Sequence, residues 1–238
     1  MLFRSLPAYE ARQGGGPGQG VISLPNNPSS PFFWEEAPDR TDLCGRGIRV
    51  TFTRVGPLWA HALLVPRSDG LALVHTVDNN PNDDDAARVI SPVYQEIHRH
   101  ESDVDSRLCL LLTGTFFQHH FSAAITLGID PDRPNSLVLD VDVADRCRAH
   151  VATLAATYTV RLDSGALEDA SPQAITWDAF GPDEHRLELL AITPGTLALA
   201  EAGRNATRVQ VLASIDPGSF THRLRYRWRW TSNSGLTR

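Results

Sequence analysis

Between Arg107 and Ile129 the chain reads RLCLLLTGTFFQHHFSAAITLGI, its longest apolar segment, closed at both ends by turn residues. The pattern predicts strands. Gly114 divides the segment into two pieces of ordinary strand length, and Phe116, Phe117, Phe121, Ile125 and Thr126 suit a pleated surface. Around Leu110 and Leu112 the apolar run does not alternate, which predicts cover on both faces of the strand.

Elsewhere the period of two is clearer. From Ile48 to Val55, Ile48, Val50 and Phe52 take one face and Arg49, Thr51 and Thr53 the other. Trp59 to Val65 and Leu71 to Val77 predict a hairpin around Asp69-Gly70. After the central segment, residues 136–143, 151–162, 174–179, 186–193, 196–202 and 207–214 read as further strands. The last run, His222 to Thr231, alternates most strictly of all. One helix is predicted, Ser91 to Glu101, with Ser91 as cap, Pro92 at the first helical position, and Val93 and Ile97 on one face.

Short strands separated by Gly, Pro and Asp turns, with no βαβ rhythm, indicate a mainly β fold. The expectation is an antiparallel β-sandwich or barrel with one short helix (about 91–101) and an extended N-terminal arm. Residues 1–20 end in GGGPGQG and read as a flexible tail. Residues 21–46 hold Pro25, Pro28, Pro31 and Pro38 beside Phe32, Phe33 and Trp34, and read as an arm pinned by its aromatics. Residues 1–46 are thus expected to be tail and arm, and residues 47–232 a single β-rich domain.

Composition narrows the chemistry. The 238 residues can bury a substantial core, and 42% hydrophobic and 21% charged residues are ordinary for a globular protein. A net charge of −6 argues against a nucleic-acid partner held through phosphates. All 22 basic residues are arginine, as codon bias in a GC-rich bacterium would produce, so Schiff-base and phosphate-loop lysines are excluded. Three cysteines without a C-x-x-C pair predict no disulfide framework. The N-terminus lacks a signal-peptide core, and no segment approaches the ~18 apolar residues of a membrane span. A cytoplasmic protein that binds no membrane is expected.

Candidate sites are few. The loop DNNPNDDD at 78–85 resembles a calcium loop, but Asp83 stands where glycine is required and Val89 where glutamate is, so calcium is rejected. Asp140-x-Asp142 has the look of metal-binding D-x-D motifs, without the lysine and parallel-strand context those need. The last strand puts Arg223, Arg225, Arg227 and Arg229 on one face, either as a ladder for anions or paired with Asp140, Asp142 and Glu188. The paired arrangement is favoured.

His98 and His100 could share a metal on a strand, but on the predicted helix they point about 200° apart. His119 groups with Phe117 and Phe121, and His120 with Gln118 and Ser122. One histidine is expected to be buried and hydrogen-bonded; His120 is the better candidate to line a cavity. Metal candidates are therefore His98, His100, His119 and His120, and ligand candidates His120, Gln118, Arg225 and Arg227. No motif of a known hydrolase or dinucleotide site occurs.

The favoured reading is a non-enzymatic domain that binds a small molecule or protein partner near His120 and the arginine strand. A structural subunit that uses its N-terminal arm, with a possible homo-oligomer, is the second. A histidine/carboxylate metal-dependent hydrolase is the third. No cofactor is expected, and no partner can be named.

Overall fold

A computed structural model of the chain describes residues 31–45, 48–64, 72–77, 79, 85–100, 107–161, 166–180, 185–203 and 205–231. Its strands come in four runs. The first holds β1 (Phe32–Ala37), β2 (Arg40–Gly45), β3 (Ile48–Val55), β4 (Leu58–Leu64) and β5 (Ala72–Thr76). Then come β6 (Arg88–Val89), β7 (Glu96–His100), β8 (Arg107–Phe116) and β9 (His119–Asp130). The third run is β10 (Arg133–Cys147), β11 (Thr153–Arg161), β12 (Ala166–Ala170) and β13 (Ala174–Phe180). The last is β14 (His185–Ala191), β15 (Thr196–Ala202), β16 (Ala206–Leu212) and β17 (Thr221–Thr231).

They form two facing sheets. One runs β1-β2-β3-β4-β5-β11-β16-β15, with β6 alongside β11; the other runs β12-β13-β14-β17-β10-β9-β8-β7. All pairings are antiparallel except β6 with β11. The arrangement is the expected sandwich. The core between the sheets holds Leu43, Phe52, Tyr158 and Val209 from the first, and Leu110, Ile125, Val141, Trp177 and Trp228 from the second. Two polar links cross it: Trp177 Nε1 donates to Thr207 Oγ1 at 2.9 Å, and the Tyr158 and Tyr226 hydroxyls bond each other.

The helix predicted over 91–101 is absent from the described part of that segment: Ser91–Gln95 are irregular and Glu96–His100 is edge strand β7. The cap and proline signals lose to pairing with neighbouring strands. Ser91 Oγ donates to the Val77 carbonyl instead of capping; Trp59 N donates to Tyr94 O at 2.9 Å, and Gln95 N to Thr113 O at 2.8 Å. This segment carries the chain from the first sheet to the second.

Gly114 lies inside β8 and does not divide it. It lets the crossing segment approach: a Cβ there would sit 2.1 Å from the Val93 carbonyl oxygen. The break falls at Phe117–Gln118, the two-residue turn between β8 and β9, where Phe117 takes φ 50°. Nor is β8 covered on both faces. Leu108, Leu110 and Leu112 point into the core, while Leu111 is 40% exposed and Cys109 half-buried on the outer face.

The expected boundary at residue 46 falls between two paired strands, because β1 and β2 extend the first sheet beside β3. Residues 1–30, expected to be tail and the start of the arm, residues 65–71, where the hairpin around Asp69-Gly70 is expected, and most of 78–85 lie outside the described residues. Asn79 is described: its Oδ1 accepts from Ile90 N at 2.9 Å, and its Nδ2 donates to Ser91 O at 2.6 Å. No helix of the described residues is long and apolar enough to cross a membrane.

Candidate functional site

The arginines of β17 stand on the outer face of the second sheet, and the register decides what each one meets. Arg227 lies opposite Asp140 and Arg225 opposite Asp142. Arg227 forks Asp140 through Nε at 2.6 Å and Nη2 at 3.1 Å. Arg223 Nε reaches Asp142 at 2.7 Å, and Arg225 Nε lies 3.4 Å from the same carboxylate. Arg229 binds buried Asp130 at 2.6 Å and Glu188 at 3.2 Å, and Arg133 joins Glu188 at 3.1 Å. The ladder is charge-paired along its length. Asp140 and Asp142 hold guanidinium groups, so the D-x-D carboxylates are not free for a cation.

The pairing stops at one end of β10. Its outward positions run Asp140, Asp142, Ala144, Arg146, and Arg146 sits between Thr221 on β17 and His120 on β9. Neither neighbour is acidic, so the cross-strand compensation of the acids is missing there. Arg148 follows just beyond the strand. Both are exposed, and neither makes an ion pair or side-chain hydrogen bond among the described residues.

These two arginines line an open groove of about 760 Å³. Gln118, His120 and Ser122 supply its β8–β9 side, Thr221 its far side, and the Phe117 ring, 58% exposed, stands at its rim. The ring is held out by the left-handed turn, a conformation costly for a bulky residue. Phe220, 65% exposed, neighbours Thr221 at the same end, and its carbonyl accepts from Cys147 N at 3.0 Å.

No protein-family model matches the chain, and no curated protein is detectably similar to it. Its chemistry is read from the geometry.

The structure separates the proposed site residues. His120 and Gln118 lie in the groove, whereas Arg225 and Arg227 lie further along the same sheet face in the paired network. The four histidines do not gather. His98 and His100 are exposed on β7, His120 lines the groove, and His119 is in the interior. Arg146 and Arg148 escaped the sequence reading. The signal was the outward series of β10 turning from acid to arginine, interpretable only once the opposing strands are known.

Beneath the groove, His119 Nδ1 bonds Asp145 Oδ2 at 2.7 Å, and Nε2 bonds the Ala86 carbonyl at 2.9 Å. A carboxylate and a carbonyl oxygen are both acceptors, so the two contacts suit an imidazole that carries a proton on each nitrogen. Burial lowers the His119 pKa, but the bonds to Asp145 and Ala86 outweigh it and the net direction is up. Cys147 lies directly opposite His119, yet no ring nitrogen is left to accept its proton. The trio therefore has no general base and serves structure.

Across the core, His61 Nε2 bonds Tyr158 Oη at 3.0 Å. Burial lowers its pKa from 6.5 to about 4. The two buried histidines tilt stability in opposite senses. In the unfolded chain His61 protonates near 6.5, so unfolding takes up a proton between there and about 4 and stability falls with pH across that window. The full effect is about 3 kcal/mol. His119, with a raised folded value, adds stability that is complete below about 6.5 and lost as pH rises through that folded value. Urea midpoints measured from pH 4 to 8 should therefore lose their acid slope in His61→Gln and their alkaline slope in His119→Gln. Parallel profiles for variants and wild type would sink this assignment.

One group of metal-ligating side chains already converges: Glu35, Asp42 and Cys44 lie within 4.8 Å of one another. Arginines occupy it. Arg40 forks Asp42 at 2.9 and 2.7 Å, Arg49 reaches Asp42 and Glu35 at 3.0 Å each, and burial pushes the Cys44 thiol up to about 11. Two guanidinium cations already balance the two carboxylates.

Proposed function

We propose that this chain is a non-enzymatic binding domain whose groove takes a small ligand carrying a phosphate or carboxylate on a flat apolar body. The observation behind this reading is the pair Arg146 and Arg148, without an acidic partner among the described residues, side by side in a groove at the end of a ladder whose β17 arginines all meet acids. Planar guanidinium forks suit phosphate and carboxylate oxygens. The Phe117 ring offers the apolar body a face to stack on. Gln118, His120, Ser122 and Thr221 offer hydrogen bonds around the edge.

Catalysis is not favoured by this wall. His120 has no carboxylate to orient it among the described residues, and Ser122 makes no hydrogen bond to it. Cys44, Cys109 and Cys147 are all free, which fits a reducing compartment such as the cytoplasm.

Melting curves at low salt with inorganic phosphate, benzoate and phenyl phosphate test the reading. A ligand at a hundredfold its Kd adds about 2.7 kcal/mol to the folded state, so the melting temperature should climb with phenyl phosphate concentration. In R146Q/R148Q the climb should vanish. A wild type indifferent to all three, or a variant that responds equally, would refute the assignment.

A further inference from the structure

Edge strand β7 presents Glu96, His98 and His100 on one outward face, because its alternate residues, Ile97 and Arg99, turn toward the first sheet. Arg99 fixes this orientation: its Nε pairs with Glu36 on β1, and its guanidinium lies 4.9 Å over the Trp34 ring. The two imidazoles are thus on the same side, two residues apart. On the next strand, Cys109 stands directly opposite His100, on the same outer face and half-buried.

We propose that His98, His100 and Cys109 form a clasp for one divalent transition metal, zinc by preference. Two imidazoles and a thiolate are a donor set that zinc accepts readily, with a fourth position left for water. Directly opposed residues in an antiparallel pair have Cβ atoms about 4.5–5.5 Å apart. Residues two apart on a strand are about 6.7 Å apart. The three donors do not converge without metal; binding would turn the two exposed imidazoles toward half-buried Cys109, a movement their side-chain torsions allow.

The Nε2 of His98 already lies 3.6 Å from Glu96 Oε2, a carboxylate that accepts from Thr113 Oγ1 at 3.0 Å. A small rotation that brings Nε2–H within hydrogen-bond reach of Glu96 would leave Nδ1 of His98 for the metal. A carboxylate behind a coordinating histidine is the usual means of fixing its ring. Cys109 makes only a weak 3.9 Å contact to the Leu110 carbonyl, so its sulfur is available. Binding replaces the thiol proton by the metal and releases that proton to solvent, so affinity rises with pH.

The test is a zinc titration of the full chain against a competing chelating dye, with cobalt as a spectroscopic stand-in. The wild type should bind one equivalent, and the cobalt form should show a thiolate-to-metal charge-transfer band. H98Q/H100Q should weaken zinc binding by roughly a hundredfold, and Cys109→Ser by roughly tenfold with loss of the band. Unchanged melting temperatures without metal confirm that the variants are folded. The clasp is overturned if the wild type shows no saturable binding at micromolar zinc, or if H98Q/H100Q binds as well as wild type. Cobalt binding without the charge-transfer band would overturn it too.

Discussion

Replacing Arg229 with methionine is expected to cost about 3–5 kcal/mol at pH 7, the largest loss of any single change on the outer face of the second sheet. Asp130 is fully buried and Arg229 nearly so, and the pair meets at 2.6 Å with Glu188 on the guanidinium's other arm. Methionine keeps the apolar stem but strips buried Asp130 of its close cation, leaving it only Arg227 at 4.0 Å, while Glu188 keeps Arg133. Burial alone would raise the Asp130 pKa, but the Asp132 amide and Arg229 overcome it and hold the group below its ordinary 3.8. The stability this contributes is present above about 3.8 and lost as pH falls through the folded value. The deficit of Arg229→Met should therefore narrow below pH 4. Urea unfolding at pH 7 and pH 3.5 measures both; a deficit under 1 kcal/mol at pH 7, or one that does not narrow in acid, would contradict the pairing.

A contrast between neighbours in β8 is the second large effect. Leu110→Ala should cost about 2–5 kcal/mol, since the side chain is wholly enclosed between the sheets and the cavity can collapse only in part. Leu111→Ala, one residue on, should cost under about 1 kcal/mol, because that side chain stands 40% exposed on the outer face. Equal losses at the two positions would restore the expectation of a strand covered on both sides.

That contrast shows how far the pattern along the chain could be read. Strict alternation marked β3 and β17 and the inward faces of both, since one face is apolar and the other charged. In LCLLL every position is apolar, and which leucines face the core depends on register with β9, which no local pattern records. The cap and proline signals at Ser91 and Pro92 were real local preferences, overridden by bonds to distant strands. The salt bridges from β17 to Asp140 and Asp142 could be anticipated from alternation alone. The Arg229–Asp130 bond could not, because it joins β17 to the far end of β9, two strands away across β10, and strand order is not written in local alternation. The groove was half legible. His120 and Gln118 drew notice as polar residues beside an apolar run, but Arg146 and Arg148 matter only because nothing acidic lies opposite, a fact of three strands together.

The central claim is that unpartnered arginines bind ligand while paired ones hold the sheet. Calorimetric titration of phenyl phosphate at low salt into wild type, R146Q/R148Q and R225Q/R227Q separates the two roles. The account predicts equal affinity for wild type and R225Q/R227Q, and no measurable binding for R146Q/R148Q. Binding that survives in R146Q/R148Q and disappears in R225Q/R227Q would contradict it, as would a wild type that takes up no phenyl phosphate at all.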